Sequence, residues 1–318
     1  MPTISIALAT YNGEKYIQCQ LDSIFSQTYT DFEVVICDDV STDKTVDLIK
    51  EYIAKGAQIR LYSNERNIGF KKNFEHILTL CTGDYIAFCD QDDIWEPNHL
   101  EVLCNNIGNN DCIGANSLII DENGVPQGKT LLEYWPIHVM PKDAEQLFQH
   151  ELYSNVVQGA ASLIRASLVK QALPIPDSIK YHDYWFALIA GLNGKCKYIK
   201  DVVLKYRRHS SNASGYQKFS IINAIKDLYH FSKDRKGFYN DSINLLQNLL
   251  SQANPSTERQ RQITQVLDFY TNLSKNKNRL SALLFYIKNY ETITLSKKTI
   301  WPLFLYRCFG ILFFGIKG

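Results

Sequence analysis

The stretch Asp84-Tyr-Ile-Ala-Phe-Cys-Asp90-Gln-Asp92-Asp93-Ile-Trp95-Glu-Pro97-Asn98 (residues 84–98) sets three carboxylates within four positions at the end of a short apolar run. The run reads as a strand, and Trp95 and Pro97 open a helix beyond it. Charge collected there matters because open α/β sheets bind ligands beyond the carboxyl ends of their strands. Carboxylates this close repel one another unless a cation lies between them, and hard oxygen ligands at this spacing suit Mg²⁺ or Mn²⁺. A solvated acidic turn would carry the same letters, so the neighbouring segments have to decide.

Upstream, residues 3–9 form an apolar run suited to a strand buried on both faces, ending at Thr10-Tyr11-Asn12-Gly13. Glu14 to Gln27 then carries Tyr16, Ile17, Leu21, Ile24 and Phe25 at helical spacing. The pattern repeats with Phe32-Glu-Val-Val-Ile-Cys-Asp38-Asp39, where Ser41 or Thr42 with Asp43 supplies N-cap chemistry for a helix to about Ile53. A third strand, Gln58 to Tyr62, leads through Asn64, Asn67 and Gly69 into a helix ending near Cys81. Strands alternating with helices predict a doubly wound, mostly parallel sheet with polar residues gathered along one edge. No Gly-x-Gly-x-x-Gly follows the first strand and no Walker loop occurs, so a nucleotide would be held in another way.

Downstream, a helix from Asn98 precedes a strand over Cys112 to Ile120 and a hairpin turn at Asp121-Glu-Asn123-Gly124. Val125 to Pro141 reads as a long loop, and Gln158-Gly159-Ala-Ala-Ser-Leu-Ile as a small-residue strand followed by a helix from Ala166. Tyr181-His182-Asp183-Tyr184-Trp185 opens an apolar helix to Leu192, and a last strand from Cys196 ends at Tyr206-Arg207-Arg208-His209. Beyond about Gln217 the periodicity becomes helical and rich in Lys and Asn.

The 318 residues allow two domains or one large core with an appendage. The eight cysteines stand singly, without a Cys-x-x-Cys, and read as reduced residues of a cytosolic protein. No basic region precedes the first strand, so no signal peptide is expected. The net charge of +1 conceals an asymmetry: residues 1–203 hold 16 Lys/Arg against 27 Asp/Glu, and residues 204–318 hold 18 against 6. The basic half suits peripheral contact with an anionic inner-leaflet membrane, and no motif suggests nucleic acid. The final run, residues 300–316, is apolar but contains Pro302 and Arg307, which favours docking on a membrane interface or a partner over spanning a bilayer.

Five ordered motifs together resemble family-2 glycosyltransferases with the GT-A fold, in particular the bacterial rhamnosyltransferase type. They are Ser-Ile-Ala-Leu-Ala-Thr-Tyr-Asn-Gly with Val-Val-Ile-Cys-Asp-Asp, Asn-x-x-Asn-Ile-Gly, Asp-Gln-Asp-Asp-Ile-Trp-x-Pro, His-Asp-Tyr-Trp and Tyr-Arg-Arg-His-x-x-Asn-x-x-Gly. The resemblance implies a GT-A domain over residues 1–215, with a nucleotide-binding half (1–110) and an acceptor-binding half (111–215), and a helical, basic extension with an apolar tail over 216–318. It implies that Thr10, Tyr11, Asn12, Asp39, Asn67, Gly69 and Asp90 bind the nucleotide of a dTDP- or UDP-linked sugar. Asp39 would accept from a pyrimidine imide N–H, since a carboxylate is acceptor-only.

By the same resemblance Asp92 and His209 hold Mg²⁺ or Mn²⁺, and Asp93 caps the next helix or supports the site. Arg207 and Arg208 meet the diphosphate, with one of them turned away, Gln158, Gly159 and Trp185 lie on the acceptor side, and Asp183 is the catalytic base. A lone Asp before an apolar helix is otherwise an ordinary N-cap. The implied activity is inverting, metal-dependent transfer of a sugar, rhamnose or a hexose, to a hydroxyl of a lipid-linked or surface glycan. Two alternatives stand beside it: a receiver-like phosphoacceptor domain, and a sugar-nucleotide binding protein without catalysis.

Overall fold

The computed structural model describes residues 2–134, 140–210, 235–275 and 277–294, with positions 308 and 311. The apolar run over 300–316 and the final Asn212 and Gly215 of the last motif therefore lie outside the described residues, those two positions excepted. Contacts divide the chain into two units: Met1–Tyr134 with Val156–Ile175 and Lys180–His209, and Trp135–Asn155 with Pro176–Ile179 and Ser210–Gly318.

The first unit is built on one mixed sheet. Its leading half is parallel: β1 (Ile4–Thr10), β2 (Phe32–Asp38), β3 (Ile59–Ser63) and β4 (Tyr85–Asp90) lie in the order β3-β2-β1-β4. Helices α1 (Ile17–Phe25), α2 (Thr45–Ala54) and α3 (Phe70–Leu80) form the crossovers. The central strands can be apolar throughout because both faces are covered, and Ile4, Ile6 and Leu8 of β1 have no exposed surface. Parallel register sets Thr10 beside Asp38, Asp38 beside Ser63, and Ala9 beside Asp90, so polar residues of all four strands reach a single edge.

Beyond β4 the sheet turns mixed. β8 (Ser162–Arg165) runs antiparallel between β4 and β6 (Cys112–Ile120), and β9 (Cys196–Arg207) runs parallel to β6. Two antiparallel steps restore the original direction, which brings the carboxyl end of β9 to the same edge as that of β4. The two-residue β5 (Ile94–Trp95) pairs with β9 at Leu204 and Lys205, closing the acidic turn against the last strand. The segment read as a long loop holds β7 (Pro126–Thr130), paired with β6, and a short helix α5 (Leu131–Tyr134). The difference arises because exposed Pro126 to Lys129 need only backbone pairing on an edge and show no alternation. The stretch at Gly159 begins as a 3₁₀ turn, Gly159–Ala161, before β8 starts. Helix α4 (His99–Ile107) packs beneath, and α7 (Ala166–Ala172) and α8 (His182–Leu192) complete the unit.

The second unit is helical, with α6 (Ala144–Glu151), α9 (Arg235–Gln252), α10 (Thr257–Ser274), α11 (Arg279–Lys288) and α12 (Tyr290–Thr294). Asp143 caps α6 by accepting from Gln146 N–H, and Ser256 caps α10 by accepting from Arg259 N–H. Leu246, Leu249, Ile263, Val266, Tyr270 and Tyr290 are buried within it. Among the described residues no helix is long and apolar enough to cross a membrane.

Candidate active site

The ends of β1, β2 and β3 are tied together by side chains. Asp38 accepts from Thr10 Oγ1 (2.9 Å), Ser41 N–H (2.7 Å) and Ser41 Oγ, so it shapes the turn after β2. Thr10 is thereby turned inward at 2% exposure and does not line an open pocket. Asp39 accepts from Asn64 Nδ2 (2.9 Å) and from the backbone N–H groups of Ile68 and Gly69 (2.8 Å each). At 2% exposure its first task is to hold the loop of Asn67 and Gly69, and one acceptor position remains on Oδ2. Gly69 has φ +83°, a left-handed conformation that favours glycine. A recess of about 700 Å³ beside this loop is lined by Arg66, Asn67, Lys72 and His76 among others.

Asn12 and Val40 also hold positive φ, 47° and 65°, which for β-branched Val40 is strained. Asn12 is fixed by Ser41 Oγ on its N–H and by Thr42 N–H on its side-chain oxygen. Asp43 accepts from Thr45 N–H, at the first residue of α2, and from Glu14 N–H, while the N-cap position itself is Lys44 and makes no side-chain capping bond. Tyr11 is 47% exposed, leaving its ring open to a ligand.

The acidic turn is locked to this rim by Gln91, the residue between Asp90 and Asp92, to which the motif alone assigns no role. Its Nε2 donates to Tyr11 C=O and its Oε1 accepts from Tyr11 N–H, both at 2.9 Å. A β-carbon at Gly13 would lie 2.3 Å from that Oε1, which explains the glycine.

Asp90, Asp92 and Asp93 then divide their roles. Asp93 is fully buried, and its Oδ1 accepts from Arg207 N–H (2.9 Å) while Oδ2 has no partner among the described residues. Burial first, then the charges of Asp92 and Asp90, push its carboxyl well above the usual range. It supports the β9 end rather than capping α4. Asp90 is pushed up to about 7 by burial, with the charges of Asp92 and Asp183 adding to the effect. Asp92 Oδ2 lies 2.8 Å from His209 Nε2, and the imidazole packs on the Tyr16 ring at 5.0 Å.

Carboxylate and imidazole together can serve Mg²⁺ or Mn²⁺, and Mg²⁺ is commonly held by one or two carboxylates with substrate phosphates completing its shell. The mutual repulsion recorded at Asp90 is relieved by such a charge, so the donor set fits a divalent cation. Among the described residues no cluster of three or more ligating side chains forms a ready-made cage.

Asp183 stands in the first turn of α8, where the helix dipole favours a negative charge. Gly159 N–H donates to its Oδ2 (2.9 Å), and because β8 runs antiparallel to β4 this 3₁₀ turn falls at the edge occupied by Asp90. Gln158 accepts from Ser117 Oγ on β6.

Besides Thr10, two expected site residues are turned inward, and Arg208 is turned aside. Trp185 is 1% exposed and its indole N–H donates to Ala172 C=O (2.8 Å), so it joins α8 to α7 and has no face for an acceptor. Arg207 is 3% exposed, donates to Asp92 C=O (2.7 Å) and Glu122 C=O (3.2 Å), and lies over Tyr16, which makes it a brace for the acidic turn instead of a diphosphate ligand. Arg208 points the other way, its guanidinium 4.4 Å from the Tyr134 ring.

A profile of the family described as Glycosyl transferase family 2 matches residues 5–171, just over half the chain. The chain belongs to this family. It is a glycosyltransferase, with the mixed α/β sheet of the GT-A fold. An uncharacterized glycosyltransferase of Methanocaldococcus jannaschii is 31% identical over 213 residues, covering 65% of this chain and 71% of that one. Among solved structures, S. aureus TarS 1–349 in complex with UDP-GlcNAc superposes with a TM-score of 0.62 at 20% identity, over 97% of this chain and 88% of that one. The mannosyltransferase PcManGT of Pyrobaculum calidifontis, in complex with GDP-Man and Mn²⁺, gives a TM-score of 0.53 at 15% identity, over 95% and 88%. At these identities the likeness to solved structures is one of fold.

Proposed function

We propose that this family-2 glycosyltransferase moves a hexose or rhamnose from a dTDP- or UDP-linked donor to a hydroxyl of a glycan acceptor, with inversion and with help from Mg²⁺ or Mn²⁺. One observation carries the reading: Gly159 N–H holds Asp183 at the turn that leads into β8, the strand paired antiparallel with β4, so the α8 carboxylate lies by the end of β4, where the acidic turn bears the Asp92–His209 pair. In this reading Asp183 removes the proton from the acceptor hydroxyl as its oxygen attacks the anomeric carbon, a contribution of about 10²–10⁴ in rate. Gly159 N–H holds one Asp183 oxygen and Tyr184 N–H the other, and each oxygen keeps a further lone pair for that proton. Asp92 and His209 would hold the divalent cation, and a cation there supplies positive charge against the departing diphosphate. Tyr11, with Asn67 and Gly69 positioned by Asp39, would flank the nucleoside.

The 1–215 domain would carry this chemistry, and the basic remainder would meet an inner-leaflet membrane bearing a lipid-linked acceptor; the net charge of +9 over residues 216–318 supports that placement. Asp183→Asn tests the assignment. Sugar-nucleotide affinity measured by calorimetry should stay within about twofold, while transfer falls by roughly 10²–10⁴. Transfer at near-normal rates would remove Asp183 from the base role.

A further inference from the structure

We propose that Phe70, Tyr181 and His182 form a subsite for a neutral sugar ring beside Asp183, with the His182 imidazole holding one of its hydroxyls. The proposal rests on the glycosyl-transfer reading above. His182 is enclosed by aromatic rings: Phe74 stacks on it at 4.0 Å and 27°, and Phe88 meets it edge-on at 4.7 Å. It is 6% exposed, and among the described residues neither ring nitrogen has a partner. A core position of this kind would accept phenylalanine without loss, whereas two buried nitrogens without hydrogen bonds are costly unless a ligand satisfies them.

The turn at Gly159 brings the imidazole and the carboxylate together. A β-carbon built there would be 3.2 Å from Asp183 Cβ and 3.4 Å from both Asp183 Oδ2 and His182 Nε2, so the glycine lets the turn pass close against both groups and sets Nε2 beside the carboxylate. Burial holds the imidazole neutral, pushing it down to about 4. A neutral imidazole offers one donor and one acceptor, which complements a hydroxyl and gives no charge to a phosphate.

The rest of the shelf is apolar and open. Phe70 begins α3 directly after Gly69, is 39% exposed, and lies 6.2 Å from the Tyr181 ring and 6.4 Å from His182. Aromatic faces with a few placed polar groups are the usual lining of a small-molecule site, and here they suit the C–H face of a sugar. The ring could be that of the donor or of the acceptor, and the measurements separate the two.

The test compares wild type, His182→Phe and Phe70→Ala in MnCl₂, using UDP-glucose, UDP-GlcNAc, dTDP-rhamnose and GDP-mannose as donors and octyl glycosides as acceptors. Released nucleoside diphosphate reports both hydrolysis and transfer. His182→Phe should melt no lower than wild type and bind the bare nucleoside diphosphate equally well. A donor ring in the subsite predicts about tenfold weaker sugar-nucleotide binding and slower hydrolysis; an acceptor ring predicts about tenfold higher acceptor KM with hydrolysis unchanged. Phe70→Ala should shift the same quantity by a few-fold. Both variants within twofold of wild type in every quantity, or a lowered melting temperature for His182→Phe with activity intact, would overturn the subsite. Wild type that turns over no donor would refute the glycosyl-transfer reading, and the subsite with it.

Discussion

At the ends of β1 to β3, Asp38 and Asp39 are each surrounded by donors from their own chain, whereas at the ends of β4 and β9 Asp90, Asp92 and Asp93 face one another. Both groups are carboxylates at strand ends of one sheet. The first set has its charge answered within the fold and acts as scaffold; the second is answered only in part, by His209 at Asp92 and by the Arg207 N–H at Asp93, while burial and mutual repulsion push Asp90 and Asp93 up. Proximity to the edge is thus not what marks a ligand-binding carboxylate. An unsatisfied electrostatic demand is.

The largest effect should come from breaking the satisfied set. Asp39→Ala leaves Asn64 Nδ2 and the Ile68 and Gly69 N–H groups without their acceptor. Roughly 2–4 kcal/mol of stability should be lost, read by urea denaturation. Mn²⁺ should sharpen the contrast next. At 100 times its Kd, added MnCl₂ should raise wild-type stability by about 2.7 kcal/mol, seen as a higher Tm, and should do so far less for Asp92→Asn.

The pH dependence follows from Asp90. Its folded-state pKa, about 7, lies above the ordinary carboxylate value, so between roughly pH 4 and 7 the folded state binds the proton that the unfolded state has released. Stability from this group is therefore full at low pH and declines as pH rises through 7. In EDTA, Asp90→Asn should abolish that decline and gain on the order of 1–2 kcal/mol over wild type at pH 8, with little difference at pH 4. The smallest effect belongs to Gln91→Ala, which removes both bonds to Tyr11 and should cost about 1 kcal/mol.

The sequence made the sheet edge legible because hydrophobic runs ending in polar clusters recur at each of the first four strands. It also paired Asp92 with His209 through the family resemblance, and the fold brings them to 2.8 Å. What it could not convey is direction at alternating positions. Arg207 and Arg208 are equivalent as letters, but strand pleating turns one inward onto Asp92 C=O and the other toward Tyr134. Trp185 failed for the matching reason on a helix, where the residue two positions from Asp183 falls on the opposite face and enters the core. Gln91 was hidden because its partner is a backbone amide eighty positions away, and main-chain groups leave no trace in composition.

The side-chain amide of Gln91 meets Tyr11 as a neighbouring peptide unit would, donating on one side and accepting on the other. It works as a strut between two turns that the sheet alone would leave free to splay. Their separation is set by the length of a glutamine: asparagine, one methylene shorter, cannot span it, and the missing side chain at Gly13 leaves the strut its clearance. The amide thus carries the pairing of β1 with β4 one step further, from the strand ends into the turns that follow them.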